Sequence, residues 1–236
     1  MKHLFFDLDR TLWDFETNSE AALHILFEKL ELGTKIRSFQ TFHTTYKKIN
    51  AELWYQYSQG TITKDKLRYE RFERTFRHLN IDDQSLAQQL GDEYVAVSPY
   101  QTNLFPNTEK TLESLKKDGH ELHIITNGFK EVQFIKLENS GIIDFFDVIL
   151  CSEEVGKTKP APEVFQCALT MAGADKKESL MIGDDYHADI MGAERFGMQS
   201  ILFDPYQKHG DNRHNWKIKQ LDEIPGLIPW IVKSTL

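Results

Sequence analysis

Cysteine is scarce: Cys151 and Cys167 are the only two in the chain, and they do not have the spacing of metal ligands. A disulfide-stapled scaffold and a thiolate zinc site are therefore excluded, a reducing compartment is expected, and both thiols read as packing residues. Long apolar runs are missing as well. The opening MKHLFFDLDRTLW starts like a weak signal peptide, but Asp7 and Asp9 interrupt it early, and no stretch approaches about eighteen uninterrupted apolar residues. Nothing in the sequence is expected to span a membrane, and a cytoplasmic protein is the expectation. Basic residues are outnumbered, 28 Lys and Arg against 36 Asp and Glu, for a formal net charge of -8. A negative surface field repels polyanions, so nucleic-acid polymers are disfavoured as partners, while a small phosphorylated metabolite in a local basic pocket is admissible. Internal repeats and low-complexity tracts are absent too.

What the chain does hold is an ordinary apolar share, 40% of 236 residues, enough for a sizeable core. The run from His3 to Asp9 is short and rich in β-forming residues, which suits a buried strand. Similar runs recur at Leu122 to Thr126, Val148 to Cys151, Leu180 to Gly183 and Ser200 to Phe203, with helical spacing between them. That alternation predicts an α/β fold, a doubly wound parallel sheet with helices on both faces. Asn107 is expected to cap a helix from Thr108 that Gly119 ends, Gly141 to end a helix over Glu131 to Ser140, and Pro162 to open a helix running to Met171. Residues from about Thr17 to Ser98 have helical periodicity, many charges and aromatics, and no strand-like run. They are expected to form an all-helical insertion, residues 17–98, within a core made of 1–16 and 99–236, with Thr63 capping one of its helices.

The chemistry is carried by residues at strand ends. Asp7 and Asp9 close the first strand and, in an extended chain, would project to the same side. Two close carboxylates need a compensating cation, or one becomes protonated and serves as an acid. Asp184 and Asp185 follow a later strand directly, and Asp189 lies on the helix turn beyond. Because the carboxyl ends of parallel strands share one edge, Asp7 and Asp184 can meet although far apart in sequence. Oxygen ligands without thiolates suit a hard cation such as Mg²⁺. Thr126, Asn127 and Lys159 follow strands at the same edge, and a hydroxyl, backbone N–H groups and an ammonium complement phosphoryl oxygens.

In order, Asp-x-Asp-x-Thr, Thr-Asn-Gly, Lys-Pro-x-Pro and Gly-Asp-Asp with a later Asp resemble the haloacid dehalogenase superfamily, over residues 1 to about 14 and about 100 to 205. The resemblance implies that Asp7 is the nucleophile taking up a phosphoryl group. Asp9 then protonates the leaving oxygen and later activates water. Thr126, Asn127 and Lys159 would bind the phosphate, and Mg²⁺ would be held by Asp7, the Asp9 backbone carbonyl and Asp184, with Asp185 and Asp189 in supporting positions. Asp189 would orient Lys159 or a metal-bound water, or simply face the helix start, and His187 is expected to be exposed. Dehalogenases of the superfamily lack an acid where Asp9 stands, because a halide needs no proton, so dehalogenation is not expected. Arg10 occupies a position where many relatives carry glycine.

In this superfamily a helical insertion after the first motif looks like a cap that sets specificity. The stretch Leu53 to Thr63 with Arg71-Phe72-Glu73, and Ser152 to Gly156 after Thr126 to Phe129, look most like pyrimidine 5'-nucleotidases, implying nucleoside monophosphates as substrates. Aromatic residues could stack on a base, and Arg68 or Arg71 could meet its polar groups, but aromatics at helical spacing are more often core. A phosphatase or phosphomutase of small sugar phosphates is the alternative within the enzymes. A receiver-type signalling module is the alternative outside them, disfavoured because Asp184 comes after Thr126 and Lys159. A P-loop at Gly156-Lys157-Thr158 fails because Cys151 stands where its first glycine belongs. The region from Tyr206 to Leu236 has no readable motif, and Trp216, Trp230 and Ile231 are expected to pack against the sheet.

Overall fold

A computed structural model of the chain describes residues 1–210 and 216–234. The chain divides into two compact units, Met1–Phe15 with the residues from Thr102 on, and Glu16–Gln101.

In chain order the elements are β1 (His3–Phe6), α1 (Phe15–Lys29), α2 (Phe39–Ser58), α3 (Lys64–His78), α4 (Gln84–Val97), α5 (Thr108–Lys117), β2 (Glu121–Thr126), α6 (Lys130–Asn139), β3 (Val148–Cys151), α7 (Pro162–Ala172), β4 (Ser179–Gly183), α8 (Gly192–Phe196), β5 (Gln199–Phe203), β6 (Lys217–Ile218) and α9 (Ile224–Ser234). The strands form one parallel sheet ordered β3-β2-β1-β4-β5-β6. The chain runs outward from β1 through β2 to β3, then returns to place β4 on the other side of β1. The order therefore reverses between β1 and β4, and ligands of open parallel sheets bind at the carboxyl ends of the strands at such a reversal.

Alternation along the strands explains the two buried faces. Leu4, Phe6, Leu122, Ile124, Leu180 and Ile182 join one cluster with Leu112 and Leu115 of α5, Leu137 of α6, and Ile224, Ile228 and Ile231 of α9. Phe5, Ile125 and Met181 join the other, with Val164, Phe165 and Leu169 of α7 and Ala193 of α8. Each fully buried side chain of this size contributes about 1.5–3 kcal/mol from leaving water. The sheet is thus a near-continuous apolar layer, and polar residues at its carboxyl edge stand out.

The unit from Glu16 to Gln101 is all helical. Leu23, Leu26, Phe42, Tyr46, Phe72, Phe76, Leu90 and Tyr94 form its core, with the Tyr46 and Phe72 rings stacked at 5.2 Å between centroids. Ser38, Thr63 and Asp83 accept hydrogen bonds from backbone N–H groups three residues on, capping α2, α3 and α4.

Three local expectations are corrected. Asn107 precedes α5 in a left-handed conformation (φ 66°) without capping it. Its amide donates to Asp222 at 3.0 Å instead, a long-range bond that displaces the local one. Trp230 is 62% exposed, whereas Ile231 is fully buried and Trp216 packs partly against the sheet cluster. Along α9 the buried stripe runs Ile224, Ile228, Ile231, and Trp230 falls off it. The first strand also ends at Phe6, earlier than expected, because Leu8 O accepts the N–H groups of Thr11, Leu12 and Trp13 and winds the chain into a turn. Arg10 in that turn has φ 71°, the left-handed region that favours glycine.

Candidate active site

Asp7 leaves β1 at the sheet reversal and is buried. Lys159, in the segment between β3 and α7, reaches it with Nζ 2.7 Å from Asp7 Oδ1. The same ammonium lies 2.7 Å from Asp189 Oδ1 and donates to Ile125 O at 2.6 Å. Three acceptors therefore take its three protons, and the side chain is held rigidly. Burial alone would lower the Lys159 pKa, but the charges of Asp189 and Asp7 outweigh it and hold the ammonium above its ordinary range.

Asp189 comes from a π-helical turn at Tyr186–Met191 that follows β4. It is seated against Gly183, where a Cβ would stand 2.2 Å from Asp189 Oδ2. The Asp185 backbone N–H donates to that oxygen at 3.1 Å. Asp185 itself is exposed, and its carboxylate accepts from His187 N and Ala188 N, both at 2.8 Å, capping the turn. His187 is exposed.

Ligand oxygens of Asp7, Asp184 and Asp189 all lie within 4.8 Å of one another. Burial, then the neighbouring Asp7 and Asp189 charges, push the Asp184 carboxyl well above the carboxylate range. Burial pushes Asp189 up to about 7 against the pull of Lys159. Three crowded carboxyls face the Lys159 ammonium, and the Arg10 charge that also acts on Asp184 is outweighed there, so positive charge is in deficit. The donor set is all oxygen, so the site fits a hard divalent cation such as Mg²⁺.

Thr126 ends β2 with its side chain buried. Asn127, expected among the phosphate-binding residues, has its side-chain amide committed to Lys159 instead. Its Oδ1 accepts from Lys159 N at 2.8 Å and its Nδ2 donates to Lys159 O at 3.2 Å. One hydrogen of its Nδ2 and its backbone N–H are left for a phosphate.

Because the strand stops at Phe6, the alternation argument does not extend to Asp9. Its carboxylate meets α6: Lys136 Nζ donates to Oδ1 at 2.6 Å and Gln133 Nε2 to Oδ2 at 2.9 Å. Lys136 also lies over the Trp13 ring, 4.2 Å from its centroid. Sequence reasoning missed both partners. The signal was present, since Gln133, Lys136, Leu137 and Ser140 share the buried face of a helix at i, i+3, i+4 spacing, and a charge on such a stripe needs a partner.

Two other groups of residues have partners of their own. Arg71 is buried in the helical unit, its guanidinium 4.7 Å from the Tyr94 ring centroid and its Nε donating to Arg68 O, while Arg68 pairs with Asp92. His3, Glu121 and His123 also approach one another, at the amino edge of the sheet. There His3 Nδ1 lies 3.2 Å from His123 Nε2 with ring centroids 5.4 Å apart and planes 21° from parallel. The nitrogens thus point at each other nearly in line, as an N–H···N bond requires, whereas a shared ion needs them to converge at an angle.

Among family models, the haloacid dehalogenase-like hydrolases match residues 4–203. The chain belongs to this family. It is 29% identical to the pyrimidine 5'-nucleotidase YjjG of Escherichia coli over 95% of this chain and 96% of that one. It is 32% identical to the ribulose-1,5-bisphosphate 5-phosphatase of Halopiger xanaduensis, covering 87% and 85%. Among solved structures, the magnesium-bound putative hydrolase YfnB of Bacillus subtilis superposes with a TM-score of 0.87 at 27% identity, covering 97% of this chain and 98% of that one. Within the haloacid dehalogenase-like hydrolases, then, this is a chain with both acids that follow the first strand present and each held by its own basic partner.

Proposed function

We propose that the protein is a Mg²⁺-dependent phosphomonoesterase that works through a phosphoryl group carried on Asp7, and that its substrates are pyrimidine nucleoside monophosphates, non-standard ones included. The observation that carries the reading is the division of labour between two acids. Asp7 shares a cation-demanding cluster with Lys159, Asp184 and Asp189, while the Asp9 carboxylate is paired with Lys136 of α6. One acid can then attack phosphorus while the other handles protons.

In this reading an Asp7 oxygen attacks phosphorus and the ester oxygen departs with a proton from Asp9. Asp9 then takes a proton from the water that hydrolyses the acyl phosphate. Lys159 and the Thr126 hydroxyl offset the charge on the phosphoryl oxygens, and Asp189 keeps Lys159 aimed at the site. Asp7 and Asp184, with Asp189 beside them and the Asp9 backbone carbonyl, would hold Mg²⁺, which supplies positive charge to the phosphoryl oxygens when bound. The residues of 17–98 would act as a cap that selects the leaving group, and the protein would work in the cytoplasm on small metabolites. General acid/base help from Asp9 is worth roughly 100- to 10,000-fold in rate, which halide displacement would not need.

The nucleotidase reading is supported by the near full-length similarity to a pyrimidine 5'-nucleotidase. A sugar-phosphate reading has its own support in the slightly higher identity to a ribulose bisphosphate phosphatase. Phosphate release across a metabolite panel with Mg²⁺ separates them: UMP, dUMP or dTMP should rank near the top and Asp7→Asn should be inert. A top rank for pentose or hexose phosphates would overturn the substrate class.

A further inference from the structure

The Thr126 hydroxyl accepts two hydrogen bonds, from Gly128 N at 3.0 Å and from Gln133 Nε2 at 2.7 Å. A hydroxyl has two acceptor lone pairs and one proton. With both lone pairs filled, its proton has to be offered outward as a donor. The other hydrogen of the Gln133 amide goes to Asp9 Oδ2 at 2.9 Å. One NH₂ group therefore fixes two neighbours at once, Thr126 as donor and Asp9 as acceptor. The reverse orientation of the amide would set its oxygen against the Asp9 carboxylate, so charge decides the orientation.

The surroundings are built to admit this side chain. Gln133 is fully buried, and a Cβ on Gly128 would stand 2.2 Å from its Nε2 and 2.4 Å from its Cδ. Real Cβ atoms do not come that close, so glycine at 128 is what leaves room for the amide. Lys136, one turn further along α6 and 4% exposed, holds the second oxygen of Asp9. The Asp9 side chain keeps 20% exposure between these two clamps, so it remains reachable.

We infer that Gln133 and Lys136 are positioning residues of the phosphatase. Gln133 sets the Thr126 hydroxyl as an obligate donor toward a phosphoryl oxygen and, with Lys136, fixes the Asp9 carboxylate for proton transfer. This rests on the proposed reaction. It adds that α6 couples phosphate binding to the acid/base residue through a single amide, and it predicts different signatures for the two positions. Loss of Gln133 disturbs both Thr126 and Asp9, whereas loss of Lys136 disturbs Asp9 alone.

The test uses the full chain with Mg²⁺ and compares Gln133→Leu, Lys136→Met and Lys136→Arg for kcat, KM, inhibition by inorganic phosphate, the phosphoenzyme fraction at steady state, and melting temperature. Gln133→Leu should lower kcat on the order of 10- to 100-fold, the loss expected from misplacing a reacting group, and should weaken phosphate inhibition. Lys136→Met should lower kcat while leaving phosphate inhibition unchanged and raising the phosphoenzyme fraction, and Lys136→Arg should recover most of the turnover. Unchanged kcat and phosphate inhibition in Gln133→Leu would overturn the inference. So would parallel losses in both variants that track melting temperature and are not rescued by arginine. Wild-type turnover with an inert Asp7→Asn judges the underlying phosphatase reading separately.

Discussion

Adding one methyl group at Gly183 should disable the site without touching any charge. A Cβ there would stand 2.2 Å from Asp189 Oδ2, 2.4 Å from its Cγ and 2.6 Å from its Cβ. The backbone of Gly183 belongs to β4 and carries no positive φ, so the obstacle is purely steric. Nor can Asp189 step aside freely, because Lys159 Nζ holds one oxygen at 2.7 Å and Asp185 N the other at 3.1 Å. Overpacking a rigid interior costs about 1–3 kcal/mol. Breaking a buried ion pair by displacing one partner costs about 3–5 kcal/mol. Because Lys159 keeps Asp7 as a second partner, Gly183→Ala should destabilise by about 2–4 kcal/mol. It should also lower phosphatase turnover by releasing Lys159 from its aim. Urea denaturation without added divalent cation measures the first effect. Asp189→Gly removes all three of the atoms that the methyl would meet, so the double variant should be little worse than Asp189→Gly alone, with a coupling energy of at least about 2 kcal/mol. Gly183→Ala within about 0.5 kcal/mol of wild type, with full turnover, would refute the close seating of Asp189 against β4.

Asp184→Asn should act in opposite directions with and without metal. The native carboxyl is held well above the unfolded value by burial and by the Asp7 and Asp189 charges, so near neutral pH its ionisation weighs against folding. Removing that charge should leave the metal-free protein at least as heat-stable as wild type, while the Mg²⁺-induced rise in melting temperature shrinks and the Mg²⁺ needed for half-maximal activity increases. A variant that melts lower without metal and responds normally to Mg²⁺ would count against the cluster as a cation site. A second test concerns pH. Burial pushes the His123 imidazole down to about 4 from an ordinary 6.5. As pH falls from about 6.5 the unfolded chain takes up a proton that the folded chain refuses until about 4, so stability drops across that window by about 1–3 kcal/mol. The drop, read from urea midpoints at closely spaced pH values, should be smaller in His123→Gln; an identical slope would exclude His123 as its source.

The sheet and its edge were legible because parallel strands impose a rule on sequence: buried runs alternate with helices, and whatever polar residues end those runs share one edge. Asp7, Thr126 and Asp184 were readable on that basis, and Lys159 from its place in the order of motifs. What stayed hidden depended on long-range partners that local pattern does not encode. Asn107 has the sequence of a cap, yet its amide bonds Asp222, 115 positions away. Asn127 has the look of a phosphate ligand, yet its side chain braces the Lys159 backbone. Alternation puts Asp9 beyond the point where the strand ends and says nothing of α6, although Lys136 on a buried helix face is a charge that requires a partner. In the carboxyl-terminal region, Pro225 and Pro229 disguised α9, whose Ile224, Ile228 and Ile231 spacing nonetheless sorts the buried residues from the exposed Trp230. Arg10 tells the converse story, since its departure from glycine leaves the left-handed turn in place, with the guanidinium 4.3 Å from the Phe15 ring centroid.

Everything proposed for the reaction requires phosphate to pass through Asp7. Acid quenching of the enzyme during steady turnover of UMP with Mg²⁺, followed by mass analysis of its peptides, tests this most directly. One phosphoryl group is expected on the peptide holding Asp7, absent from Asp7→Asn and more abundant when Asp9 is replaced by asparagine. Phosphoryl label on another residue, or sustained turnover by Asp7→Asn, would contradict it.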